Sequence, residues 1–174
     1  MPGVIITEIR DVKGFNEVAL RGFGDLMIRQ GDQEELVVEA EESLLPNIVT
    51  EVRDQRLTIE YHNPLGLDSS RRPIVYHLTM REIHAVEISG SGSLEAENIQ
   101  SNLIHLDVSG SGSVLMDGLK VDRLVMHISG TAKVELTGEA PEQDISVSGS
   151  GRVQAWGLRS DRVKVNVSGS AGVT

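Results

Sequence analysis

A seven-residue motif that occurs five times in the second half of the chain constrains the fold more than any other feature. Its first copy, Ile88–Leu94, reads ISGSGSL, and successive copies follow at spacings of 20, 20, 19 and 20 residues. A fixed period of this length is typical of a repeat protein and not of a Gly/Ser-rich linker. The later copies begin at Val108, Ile128, Val147 and Val167.

Each copy of the motif is preceded by apolar residues at every second position, as in Ile104, Leu106 and Val108. Alternation with a period of two indicates a β-strand with one buried face. Glycine can turn the chain at the motif because it tolerates positive φ. A second short alternating run follows the motif, as in Val114 and Met116. One repeat therefore contains two strands separated by a corner.

A single repeat of this size cannot bury its apolar face, whereas stacked copies can. We therefore expect an all-β fold, a right-handed parallel β-helix or β-solenoid with about 20 residues per coil and coils about 4.8 Å apart. An antiparallel meander is the alternative, but it would not need identical corners at a fixed period. The expected inward column contains Val86, Leu106, Met126, Ile145 and Val165.

The first half of the chain is less regular. At 174 residues the chain has the length of one domain, so we predict a single β-solenoid domain over residues 1–174. Residues 83–174 form its regular part, and residues 14–82 form an irregular β half, either as less regular coils or as a capping sheet. Residues 62–73 are rich in Pro and Gly and are predicted to form a loop.

Composition limits the classes of partner. The chain has no cysteine, so it can form neither a disulfide nor a cysteine-ligated metal site. Its net charge of -10 argues against a nucleic-acid partner. No apolar stretch approaches the length of a membrane span, and the N-terminus lacks the pattern of a signal peptide. We therefore expect no transmembrane segment and no signal peptide in this chain.

Four stretches together resemble a known family. They are Phe15 to Val18, the strand Gly24–Ile28, the strand Arg56–Glu60 and the corner Glu87–Leu94 with its returns. In this combination the chain, over residues 14–174, resembles the putative auto-transporter adhesin, head GIN domain, of bacterial envelope proteins. The resemblance implies a β-helical fold and a cell-envelope or extracellular location. It brings no catalytic residues with it.

Three residues are the candidates for a metal site. Glu87, Asp107 and His127 share one outward register on successive coils, and stacking would bring them about 5 Å apart. Two carboxylates and an imidazole could bind a divalent cation. An outward strand face is more commonly just solvated, however. We therefore predict no metal and no cofactor, with these three residues as the candidates if one binds.

Catalysis is the alternative function, because β-solenoids include polysaccharide lyases and hydrolases. Such enzymes need clustered carboxylates with a base, or a carboxylate pair at a fixed separation. The candidate carboxylates here are scattered; they are Glu95, Glu97, Asp117 and Glu135. We expect no Arg or Lys in their outward column. We therefore predict no catalytic residues and no enzyme, and we keep a carbohydrate-active β-helix enzyme as the alternative.

The expected function is a non-enzymatic, adhesin-like module for interaction or scaffolding at the cell envelope, with a glycan or a surface protein as its ligand. Trp156, the only tryptophan, aligns with outward Asp117 and Thr137 and is the candidate partner contact. Packing of Trp156 under a neighbouring loop is the alternative for that residue. A purely structural assembly module is a further alternative for the whole chain.

A homo-oligomer is also expected. In this sequence no further repeat follows the strand Val163–Val167, so its edge would expose unpaired backbone groups and apolar side chains. Solenoids normally cover such an end with a polar capping repeat. We expect either a continuation of the chain or a second chain to cover it.

Overall fold

A computed structural model describes residues 3–62 and 73–174. Within these residues the chain is almost entirely β, and its one helical element is the 3₁₀ turn Leu45–Asn47. The prediction of an all-β fold is confirmed. Most of the predicted loop, residues 63–72, lies outside the described residues.

The first-half strands are β1 (Ile5–Arg10), β2 (Glu17–Gly22), β3 (Asp25–Gln30), β4 (Glu35–Glu41), β5 (Ile48–Arg53), β6 (Arg56–Tyr61) and β7 (Val75–Met80). The repeat-half strands are β8 (Ala85–Gly90), β9 (Ser93–Glu97), β10 (Gln100–Gly110), β11 (Ser113–Gly130), β12 (Lys133–Glu139), β13 (Glu142–Gly149), β14 (Arg152–Arg159), β15 (Arg162–Gly169) and β16 (Gly172–Val173).

The described strands are hydrogen-bonded into one sheet that folds back on itself around a common apolar core. We call the strands that end at a Ser-Gly corner the front face: β2, β8, β10, the second half of β11, β13 and β15, with β6 and β5 beside β2. The strands that follow a corner form the back face: β3, β9, the first half of β11, β12, β14 and β16, with β7, β4 and β1 beside β3. A tier is one front strand, its corner and the next back strand.

Successive tiers of the repeat half pair in parallel, with identical motif positions opposite one another. On the front face Ile88 is opposite Val108, which is opposite Ile128. The same column continues through Val147 to Val167. The antiparallel meander, which was the alternative, is therefore excluded for this half, because the pairings are parallel and follow the sequence period.

The first half contains both less regular stacked strands and capping antiparallel strands, the two arrangements that the sequence left open. The tier 17–30 pairs in parallel with the tier 85–97 on one side and with β6 and β7 on the other. Beyond these, β5 pairs antiparallel with β6, β4 with β7, and β1 with β4. Spatial order thus differs from chain order, because β6 and β7 lie outside a tier that precedes them in sequence.

Inward residues of the front face form continuous apolar columns. Val86, Leu106, Met126 and Ile145 are each no more than 1% exposed and lie opposite one another in register. Val165 continues this column but is 42% exposed, because β15 is the outermost described front strand. Among the described residues this column is therefore buried along its length and open at β15.

Met126→Ala tests the inward column. We expect a loss of about 2–5 kcal/mol in the free energy of unfolding, since truncation leaves a cavity between two tiers. Leu115→Ala, on the outward side of the back face, is the control and should change stability by only about 0.5 kcal/mol. Urea denaturation measures both, and equal effects would contradict the column.

The Ser-Gly corners stack so closely that they exclude a side chain. Gly110 has φ +105°, and a Cβ placed there would lie 2.4 Å from the carbonyl oxygen of Gly90. That carbonyl accepts a hydrogen bond from the Ser111 amide at 3.0 Å, and the Gly110 carbonyl accepts one from Thr131 at 2.8 Å. Glycine is thus needed both for its backbone conformation and for the approach of the next corner.

Gly110→Ala should cost about 1–3 kcal/mol or more, because it combines positive-φ strain with a backbone clash. Gly172→Ala is the matched control, since a Cβ there would meet no heavy atom within 4 Å. Thermal unfolding of the two variants gives the comparison. A Gly110→Ala protein as stable as the control would show that the corners can separate without loss.

Candidate functional site

A shallow groove of about 540 Å³ runs across four tiers on the outer side of the front face. Two columns of outward side chains form it. One column contains Asp107, His127, Ser146 and Asn166, and the other contains Ser109, Ser129, Ser148 and Ser168. Serine side chains are short, so four of them in register leave a depression beside the corner.

The parallel register fixes the chemistry of the groove. Each tier contributes one serine hydroxyl in the same place, about 4.8 Å from the next. The neighbouring column supplies a carboxylate, an imidazole, a hydroxyl and an amide in turn, from Asp107 to Asn166. These groups can donate and accept hydrogen bonds. The groove therefore suits an elongated polar ligand that lies along the stack.

Glu87, the first metal candidate, lies outside this groove lining and has arginine partners. Its carboxylate is 3.0 Å from Nη1 of Arg56 and 3.9 Å from Nε of Arg21. Arg56 also contacts Glu17, with 2.9 Å between Nε and Oε2. Ala19 lies in the tier between Arg56 and Glu87 and is fully buried. Its small side chain leaves room for Arg56 to span that tier.

The three metal candidates are therefore not equivalent. Asp107 lies opposite Glu87 on one side and His127 on the other, as the sequence predicted. Arginines engage Glu87, however, which leaves Asp107 and His127 as the charged and titratable members of the groove. Within residues 3–62 and 73–174 there is no group of three His, Asp or Glu side chains that could hold a metal ion.

The back-face carboxylates have basic neighbours, one from a distant segment and one from the same strand. Arg29 lies opposite Glu97 in the neighbouring tier, and Lys133 forms an ion pair with Glu135. The expectation that no Arg or Lys shares this outward column is wrong. It failed at Arg29 because the tier 17–30, and not β6 and β7, packs against the tier 85–97.

Trp156 projects from the back face and is 79% exposed. The predicted alignment with Thr137 is wrong, because Thr137 lies opposite Gly157 across a β-bulge. The strand β12 is one residue short, so the strands on either side of it bulge. Thr137 spans the shortage by accepting a hydrogen bond from the Gly118 amide at 3.0 Å and donating one to Asp117. The groove and Trp156 lie on opposite faces.

Tyr76 carries a polar group that no candidate site uses. Its side chain is fully buried in the core, and its hydroxyl has no hydrogen-bond partner among the described residues. Burial raises the pKa of Tyr76 well above its ordinary value, the nearby Tyr61 raises it further, and Arg10 acts in the opposite direction. The phenol is therefore neutral throughout the physiological range.

Tyr76→Phe should leave the free energy of unfolding unchanged or raise it by about 1–2 kcal/mol at neutral pH, because it removes an unsatisfied buried hydroxyl. Above about pH 10 the phenol ionises in the unfolded chain first, so the wild type should lose stability that the variant keeps. Guanidinium denaturation at both pH values measures this. A destabilised variant at neutral pH would reveal a hydrogen bond to the hydroxyl.

These features define a class of protein: an all-β chain of in-register stacked repeats with a polar groove on one face. The sequence matches the family described as "Putative auto-transporter adhesin, head GIN domain" over residues 14–174, and the chain belongs to that family. The resemblance seen in the sequence is thereby confirmed. No curated protein matches the chain.

Several solved structures of bacterial proteins share the fold. A putative adhesin from Bacteroides fragilis superimposes with a TM-score of 0.85 at 16% identity, covering 98% of this chain and 96% of the other. A putative adhesin from Parabacteroides merdae gives 0.70 at 22% identity, covering 97% and 80%. A putative lipid binding protein from Parabacteroides distasonis gives 0.68 at 17% identity, covering 99% and 98%.

The family description names an adhesin and no enzymatic activity, and it is consistent with a cell-surface or envelope location. In the described part of the chain, none of the helical structure is long and apolar enough to cross a membrane.

Proposed function

We propose that this chain is a non-enzymatic, adhesin-like binding module that holds a linear glycan in the front-face groove. The groove of stacked serines is the observation that carries the proposal. It spans four tiers, a length of about 14 Å at the usual strand spacing. That length accommodates a short run of sugar units, whose hydroxyls match the donors and acceptors along its floor.

We further propose that the whole described chain acts as one right-handed β-solenoid domain. The parallel pairing at the repeat period and the continuous apolar core support this architecture. Backbone hydrogen bonds and side-chain columns join every tier to its neighbours, so the groove lies on a rigid support. Rigidity lowers the entropic cost of holding an extended ligand.

A role at the cell envelope or outside the cell follows from membership of an adhesin family. A glycan is preferred to a nucleic acid because the chain has a net charge of -10. A glycan is preferred to a protein partner because the outward side chains of the lining carry hydroxyl, amide, imidazole and carboxylate groups, and none of the lining residues is a Trp, Tyr or Arg of the kind that anchors protein interfaces. Binding without turnover is expected.

Ser146→Lys should fill the groove at its centre and lower glycan affinity by about ten-fold or more, equivalent to at least about 1.4 kcal/mol. Gln154→Lys is the control, because it places the same side chain on the outward back face. A glycan array identifies the ligand, and calorimetry then compares the variants. Equal binding by both variants would exclude the groove as the site.

Trp156→Ala tests whether the glycan binds at the front-face groove or at the exposed Trp156. Unchanged glycan binding is expected, since Trp156 lies on the opposite face from the groove. If Trp156→Ala abolishes binding while Ser146→Lys does not, the site lies on the back face and the groove proposal fails. Chromatography of the bound glycan should show no shortened chains, and shortened chains would identify an enzyme.

A further inference from the structure

The front face ends in an apolar edge that no described residue covers. Val163, Val165 and Val167 of β15 are 51%, 42% and 46% exposed. One tier further in, Ile145 and Val147 are only 1% and 2% exposed. The valines point inward by the register of β13 and β15, so what they expose is the open end of the core.

The opposite end of the sheet differs. There the antiparallel strands β5 and β1 lie outermost, and Leu44 and Leu45 are buried in the core with exposures of 7% and 5%.

Charge is also distributed unequally between the two ends. Residues 3–62 carry 13 acidic and 6 basic side chains, a net charge of -7, whereas residues 140–174 carry 3 acidic and 4 basic ones, a net charge of +1. Two copies can therefore meet at the β15 end without strong repulsion.

β15 lacks the features that usually keep an edge strand from pairing. It contains no proline, and its eight-residue register with β13 has no bulge. Its two cations have acidic partners in the tier below. Nη1 of Arg162 is 3.3 Å from Oε1 of Glu142, and Nζ of Lys164 is 3.9 Å from Oδ2 of Asp144. Among the described residues, β15 pairs with β13 alone.

We propose that β15 pairs with β15 of a second copy of this chain, antiparallel and about a two-fold axis at Val165. In this register Val163 of each copy faces Val167 of the other, and the two Val165 side chains meet on the axis. On the outward side Lys164 faces Asn166, so no cation faces a cation. The two open cores close on each other, and a two-fold contact of this kind stops at a dimer.

Mass measurement by sedimentation equilibrium tests the association. The wild type should pass from monomer to dimer across the micromolar range and go no further. Val165→Lys should raise the dimer dissociation constant by about ten-fold or more, because two lysines would face each other on the axis. An equimolar mixture of Val165→Lys and Val165→Glu should recover the dimer.

Val49→Lys is the matched control, since Val49 is 47% exposed on β5 at the opposite end. It should dimerise like the wild type. Circular dichroism verifies that each variant is folded. A wild type that stays monomeric at high micromolar concentration would overturn the proposal. So would a series of growing oligomers or an equal effect of Val49→Lys, since both indicate head-to-tail stacking.

Val165→Cys tests the register directly, because the chain has no cysteine of its own. Directly opposed residues of an antiparallel pair are about 4.5–5.5 Å apart at Cα, within the range that a disulfide can span. Mild oxidation should therefore give a covalent dimer of Val165→Cys and little dimer of Val49→Cys. Similar yields from both variants would contradict the two-fold pairing at Val165.

Discussion

Backbone contact between successive Ser-Gly corners is the constraint on which the rest of the structure depends. At each corner the carbonyl of one glycine lies where a Cβ of the next tier would have to be, and it accepts that tier's next amide. The approach fixes the distance between tiers and the register of the strands on both sides. Once that register is fixed, apolar residues fill the inward column through Val86, Leu106, Met126 and Ile145.

The outer surface follows from the same register. Because each repeat places a serine beside its corner, the front face gains a groove with a repeating floor from Ser109 to Ser168. Where a strand departs from the period, as β12 does by one residue, its neighbours bulge and Trp156 projects. The regular stack therefore supplies an extended polar surface, and the irregularity at β12 lies beside an exposed aromatic side chain.

The two ends of the stack differ in how far the apolar core is covered. At one end antiparallel strands and the segment containing Leu44 and Leu45 cover the core. At the other end the valines of β15 remain exposed, although their outward neighbours Arg162 and Lys164 are paired with acids. Among the described residues the β15 end is thus the open end of the core, and it is the surface on which the proposed dimer depends.

The sequence alone determined the period, the strands, the glycine corners and the inward column through Val86, Leu106, Met126 and Ile145, because these depend on local alternation and on spacing. It also brought Asp107 and His127 together by register. Only the tertiary structure decided that the tier 17–30 lies between the strands β6 and β7 on one side and the tier 85–97 on the other, because pairing between distant segments leaves no periodic signal. That placement gave Glu87 its arginine partners and put Arg29 opposite Glu97.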